Sequence, residues 1–129
     1  MDPIKTPGPD HPIALAADPR RLRVRFEGHL IADSADVLTL EEAGYPPVSY
    51  FPRDDVAMDH LSRTDRDTHC PYKGRARYFT LSVDGHVAED AVWTYEEPYP
   101  AMAAIRNRVA FYPNVVEIEE LDRPQPRGA

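Results

Sequence analysis

Proline punctuates this chain so densely that no long helix fits into it: fourteen prolines and six glycines fall between short apolar runs. Inside a helix a proline removes a backbone donor and clashes with the preceding turn, and inside a sheet it cannot join the ladder. Many short strands separated by turns remain, so a mainly β fold is expected. At 129 residues the chain suits one domain with a core of its own.

The clearest strand is Arg21-Leu22-Arg23-Val24-Arg25-Phe26, in which apolar residues alternate with three arginines. The arginine row is expected to be a solvated face that blunts a sheet edge, with a binding stripe as the alternative. Glu27-Gly28-His29 predicts a turn, and Leu30–Asp33 the returning strand. Asp36–Glu42 and Val48–Phe51 supply two more strands on either side of the Gly44-Tyr45-Pro46-Pro47 break. Pro52 suits the start of a helical turn, with Asp54 and Asp55 at its positive end. Ala57–Leu61 is expected to be a strand and Ser62–Thr68 a polar loop. Ala76–Val83 leads through Asp84-Gly85, a hairpin signal, towards the Ala91–Tyr95 strand. Glu97-Pro98-Tyr99-Pro100 turns the chain into Ala101–Ile105, the one short helical segment, and Val109–Tyr112 and Val115–Leu121 are the last strands. Residues 1–20 are expected to form an extended N-terminal arm docked through Ile13 and Leu15. It either covers a sheet edge or binds a partner weakly. Residues 21–122 make the domain, and residues 123–129 a tail.

A formal net charge of −7 argues against a general nucleic-acid binder and against attraction to an anionic membrane surface. No apolar run reaches the roughly 18 residues a membrane helix needs, and Met-Asp-Pro-Ile-Lys-Thr carries no signal segment, so a cytoplasmic location is expected. The single cysteine can form neither an internal disulfide nor a four-thiolate zinc site, and no metal or cofactor is expected.

That cysteine sits in Thr68-His69-Cys70-Pro71-Tyr72-Lys73-Gly74, where chemistry-bearing residues crowd between backbone-restricting ones. Cys70 is a small packed residue, a pocket liner or a reactive thiol whose thiolate the charges of His69, Lys73, Arg75 and Arg77 would favour. His69 is a poor catalytic partner on a strand, because neighbouring side chains point to opposite faces. Lys73, in a loop of fixed shape, is either half of a salt bridge or, with Arg75 and Arg77 on the same alternating face, a cationic spot for a phosphate or carboxylate on a small ligand. Trp93 and Tyr95 share one strand face, with Trp93 a core anchor or a ligand platform. The adjacent acids Asp54-Asp55 and Glu96-Glu97 diverge, so neither pair makes a carboxylate dyad.

The runs Ala43-Gly44-Tyr45-Pro46-Pro47-Val48-Ser49-Tyr50, Thr68–Gly74, Val92-Trp93-Thr94-Tyr95-Glu96-Glu97-Pro98 and Val109-Ala110-Phe111-Tyr112-Pro113 closely resemble, in order and spacing, the domain of unknown function 427 family of small bacterial and fungal proteins. The similarity spans roughly residues 22–120. It implies a β-tent fold, antiparallel sheets meeting at an angle, akin to the cereblon ligand-binding domain and methionine sulfoxide reductase B. Many relatives of that fold hold zinc between two Cys-x-x-Cys knuckles, which one cysteine cannot reproduce. A nucleotidyltransferase label attached to the family finds no support here. There is no Gly-Ser followed by an Asp-x-Asp pair, and no glycine-rich phosphate loop.

Together these features predict a binding module for a small molecule, an anionic one included, or a peptide, with its pocket where the Cys70–Lys73 loop approaches the Trp93 strand. Lys73 with His69 or Arg53 would form the polar wall, and Trp93 with Tyr50 the apolar one, Tyr95 lying on the same strand. By resemblance to the cereblon-like relatives, Trp93 would belong to an aromatic cage. The alternatives are a thiol-dependent enzyme using Cys70 with Lys73 as electrostatic partner, and a non-catalytic domain whose sheet edge binds a protein strand.

Overall fold

The computed structural model describes residues 5–121, so residues 1–4 of the expected arm and the whole expected tail, 123–129, lie outside the described residues. The expected alternation organises three antiparallel sheets. One contains β1 (Ile13–Ala17), β4 (Leu38–Glu42) and β5 (Val48–Tyr50), in the order β1-β4-β5. A second joins β2 (Arg21–Phe26), β3 (His29–Ser34) and β10 (Glu117–Leu121), in the order β10-β2-β3. The third holds β6 (Leu61–Cys70), β7 (Gly74–Val83), β8 (His86–Tyr95) and β9 (Val109–Phe111), paired in chain order.

The third sheet is the middle layer, with a core on each face. Because successive strand residues face opposite ways, β7 sends Phe79, Leu81 and Val83 into one core and Ala76 and Tyr78 into the other. In β9, Val109 and Phe111 join the first core while Ala110 joins the second. That is why Val109-Ala110-Phe111 is buried throughout and shows no alternation of polarity. Leu22, Val24 and Phe26 of β2 close the first core, and Leu40 and Tyr50 of the β1-β4-β5 sheet close the second. Ile13 and Leu15 of β1 pack against the second core, their strand paired with β4 from Ile13↔Glu42 to Ala17↔Leu38.

Both short hairpin turns use the left-handed backbone that matches strand twist. Glu27 and Gly28 have φ of 49° and 80°, and Asp84 and Gly85 have φ of 51° and 84°. Two bulges reset the phase of alternation. The β2–β3 register slips between Val24 and Arg25, which lets adjacent Ile31 and Ala32 both face inward. The β7–β8 register slips between Phe79 and Leu81, where Asp90 takes φ of 53°.

Three expectations change. The segment expected as a strand at Ala57–Leu61 is instead a 3-10 turn at Met58–His60, whose last residue leads directly into β6. Ser62–Thr68, expected as a loop, lies inside β6, an edge strand whose polar residues are mostly exposed. Its charges guard the open edge instead of breaking the strand. The arginine row lies on β2, the middle strand of its sheet, and so blunts no edge. Arg21 and Arg23 pair with Asp33 on β3, and Arg25 with Glu119 on β10. The short helical segment is a 3-10 helix, Pro100–Ile105, kinked at Met102, and a further 3-10 turn at Arg53–Asp55 follows Pro52. No helix of the described residues is long and apolar enough to cross a membrane.

Candidate functional site

The β6–β7 hairpin carries the motif-dense stretch. Gly74 closes its turn with φ of 113°, a conformation closed to most side chains, and a Cβ there would stand 3.3 Å from the Glu97 carbonyl oxygen. The turn is held from both directions. Lys5 N–H donates to the Pro71 carbonyl at 2.8 Å, Tyr99 N–H donates to the Lys73 carbonyl at 3.0 Å, and the His11 ring stacks on Tyr72 at 4.1 Å.

Alternation along β6 and β7 assigns the candidate residues to opposite faces. On one face lies a cavity of about 450 Å³ lined by Cys70, Lys73 and Trp93. Leu40, Val48 and Phe111 add apolar wall, and Tyr45, Pro46, Pro47, Pro113 and Ile118 also line it. Trp93 is half-buried and tilted over Tyr112, with ring centroids 4.6 Å apart. Its indole N–H donates to the Tyr50 hydroxyl at 3.3 Å, so buried Tyr50 fixes the tryptophan from behind. Burial, partly offset by that hydrogen bond, pushes the Tyr50 phenol up to about 12, so it stays a neutral acceptor.

The polar end of this cavity is a charged pair that the sequence pattern did not single out. Lys73 Nζ donates to Glu42 Oε1 at 2.6 Å, and the two side chains are only 13% and 11% exposed. His11 Nε2 reaches the other carboxylate oxygen at 2.6 Å. Burial works to raise the Glu42 carboxyl, but the hydrogen bonds from Lys73 and His11 outweigh it and hold its pKa below the usual value. A signal was available: Leu38, Leu40 and Glu42 alternate on one strand, which puts an acid on an inward-facing apolar row. Its pairing with Lys73, 31 positions away, is tertiary.

The remaining candidates lie elsewhere. Tyr95 is buried in the second core, and burial pushes its phenol far above the usual range. Arg53 leaves its 3-10 turn to donate to the Asn107 carbonyl at 2.8 Å, Thr94 Oγ1 at 3.1 Å and Glu96 at 3.2 Å. Arg63 grips the same Glu96 carboxylate. His69, one residue from Cys70, faces the opposite side, where it hydrogen-bonds the Tyr99 hydroxyl at 2.7 Å beside Arg75, Arg77, Glu96 and Glu97. The structure thus brings Cys70, Lys73 and Trp93 to one cavity with Tyr50 behind, and separates Arg53, His69 and Tyr95 from it. Arg75 and Arg77 line the other side with His69, so the expected cationic spot does not join them to Lys73, which closes the turn before the strand alternation begins. Among the described residues, no three His, Cys, Asp or Glu side chains converge on a metal-binding geometry.

Fold and site define a small, three-sheet antiparallel β protein with an apolar cavity ending in a shielded ion pair. The chain belongs to the family described as domain of unknown function DUF427, whose model matches residues 14–122. No curated protein matches it at significant similarity.

Proposed function

We propose that this protein is a binding module for a small molecule or a short peptide segment, taken into the cavity between the Cys70–Lys73 turn and Trp93. The observation that carries this is the composition of the cavity. Its volume of about 450 Å³ falls in the range of ligand sites, roughly 300–1,000 Å³. Its walls are mostly apolar, and its charged groups are confined to Lys73 and Glu42. Such a site suits a ligand with a flat apolar body to lie on Trp93 and a polar or anionic end to meet the Lys73 ammonium.

Trp93 is the only tryptophan, so its fluorescence reports on the cavity alone. Screening small molecules by that signal should find ligands that also raise the melting temperature and slow alkylation of Cys70, a cavity-lining thiol. Trp93→Ala should keep the fold and lose at least tenfold in affinity, about 1.4 kcal/mol or more. A folded Trp93→Ala protein that binds every such ligand as tightly as the wild type would overturn the proposal.

A further inference from the structure

The face of the β6–β7 hairpin opposite Cys70 and Lys73 carries a second cavity, of about 370 Å³, lined by His69, Arg75, Arg77, Glu96, Glu97 and Tyr99. We propose that it is a binding site for the oxyanion of a small hydroxylated molecule, either a phosphate monoester or a carboxylate.

Two guanidinium groups of this cavity lack full partners among the described residues. Arg77 Nε is the one buried side-chain nitrogen or oxygen among the described residues without a hydrogen-bond partner, and Arg77 makes no ion pair there. Buried donors in folded proteins are nearly always satisfied, and an exception calls for an explanation, of which a bound ion or water is one. Arg75 has only Asp67, at 3.7 Å, beyond hydrogen-bonding distance, and its side chain is 67% exposed. Arg75 and Arg77 are two apart on β7 and therefore share a face, about 7 Å apart along the strand. Two guanidiniums at that spacing can close on one oxyanion with parallel N–H donors.

The acids of the cavity do not neutralise them. Glu96 already gives its two oxygens to Arg53 and Arg63. Glu97 is exposed and makes no ion pair among the described residues. A free carboxylate beside two arginines disfavours a bare polyanion but accepts hydroxyl donors, and the Tyr99 hydroxyl offers another polar contact. That combination selects a molecule with one anionic group and several hydroxyls. This site shares no lining residue with the cavity of the proposed function, so either can fail without the other.

Amide NMR titrations of the intact protein with glycerol phosphate, glycerate and glycerol test it. Saturable shifts are expected at residues 69, 75, 77, 97 and 99 with at least one of the two anions, and none with glycerol. Which anion acts tells phosphate from carboxylate recognition. Arg77→Met should weaken that binding about tenfold or more, and Arg75→Met several-fold, with the fluorescence of Trp93 unchanged. The proposal is overturned if neither anion gives saturable shifts, if glycerol gives the same shifts, or if folded Arg77→Met binds like the wild type. Should Arg77→Met not fold, unchanged affinity in Arg75→Met overturns it equally.

Discussion

Asp18 is a carboxylate almost withdrawn from water, and every acceptor position it has is in use. Arg20 reaches it three times, through its backbone N–H at 2.9 Å, Nε at 2.8 Å and Nη2 at 2.7 Å, and Thr39 Oγ1 donates at 3.0 Å. The hydrogen bonds from Arg20 outweigh the opposing effect of burial and hold the Asp18 pKa well below the carboxylate range, while the guanidinium is held above its own. The folded pKa is depressed, so this stability is fully present above the unfolded value near 3.9 and is lost as pH falls below it. Asp18→Asn should therefore cost about 2–3 kcal/mol at neutral pH, and the cost should shrink in urea unfolding curves recorded below about pH 4. A cost independent of pH would mean that shape, and not charge, holds this corner. At this scale the sequence spoke unevenly. The opposite orientations of His69 and Cys70 follow from strand alternation, whereas the ties of Asp18 to Thr39 and of Lys73 to Glu42 depend on which strands become neighbours.

Among the elements, those with a half-buried alternating pattern were legible and those without it were not. β2 and the Asp84-Gly85 hairpin announce themselves through period-two polarity and turn chemistry. β6 does not, since an edge strand with polar residues on most positions resembles a loop until its partner β7 is known. The bulges at Ile31 and near Asp90 likewise leave no mark, because a phase slip reads as noise in a short window. The cavity inherited both effects. Its Cys70–Lys73 and Trp93 walls come from motif-bearing strands, while its Pro113 and Ile118 lining comes from the chain's end, which no local pattern connects to residue 70. The ion pair between Lys73 and Glu42 ties β4 to the β6–β7 turn, and its burial makes a lone partner expensive. Lys73→Met alone should destabilise by about 2–4 kcal/mol. In a double-mutant cycle with Glu42→Gln the two changes should couple by at least about 1 kcal/mol. Additive losses would show that His11 alone suffices for Glu42.

For the whole molecule, the decisive feature is a middle sheet that serves two cores. Val24 lies in one and Ile105 in the other, both fully buried. Strands β7, β8 and β9 supply side chains to both, so neither core can dissolve without stripping one face of the shared sheet. Val24→Ala and Ile105→Ala should each cost about 2–4 kcal/mol, and in each variant Trp93 fluorescence and far-ultraviolet circular dichroism should report one coincident transition. Separated transitions would show that the cores melt independently.

The same hairpin that divides the two cavities is only one strand pair thick. Along it, His69 and Arg75 belong to one side and Cys70 and Lys73 to the other, with Gly74 wedged against the Glu97 backbone. An occupant of either cavity would border the same short turn from its own side. Thermodynamic reciprocity then applies: whatever factor an occupant of the first cavity imposes on affinity at the second, the second returns unchanged to the first. Were both cavities to take ligands, the Pro71–Gly74 turn would be the partition between them, a wall made of the residues that first marked the sequence.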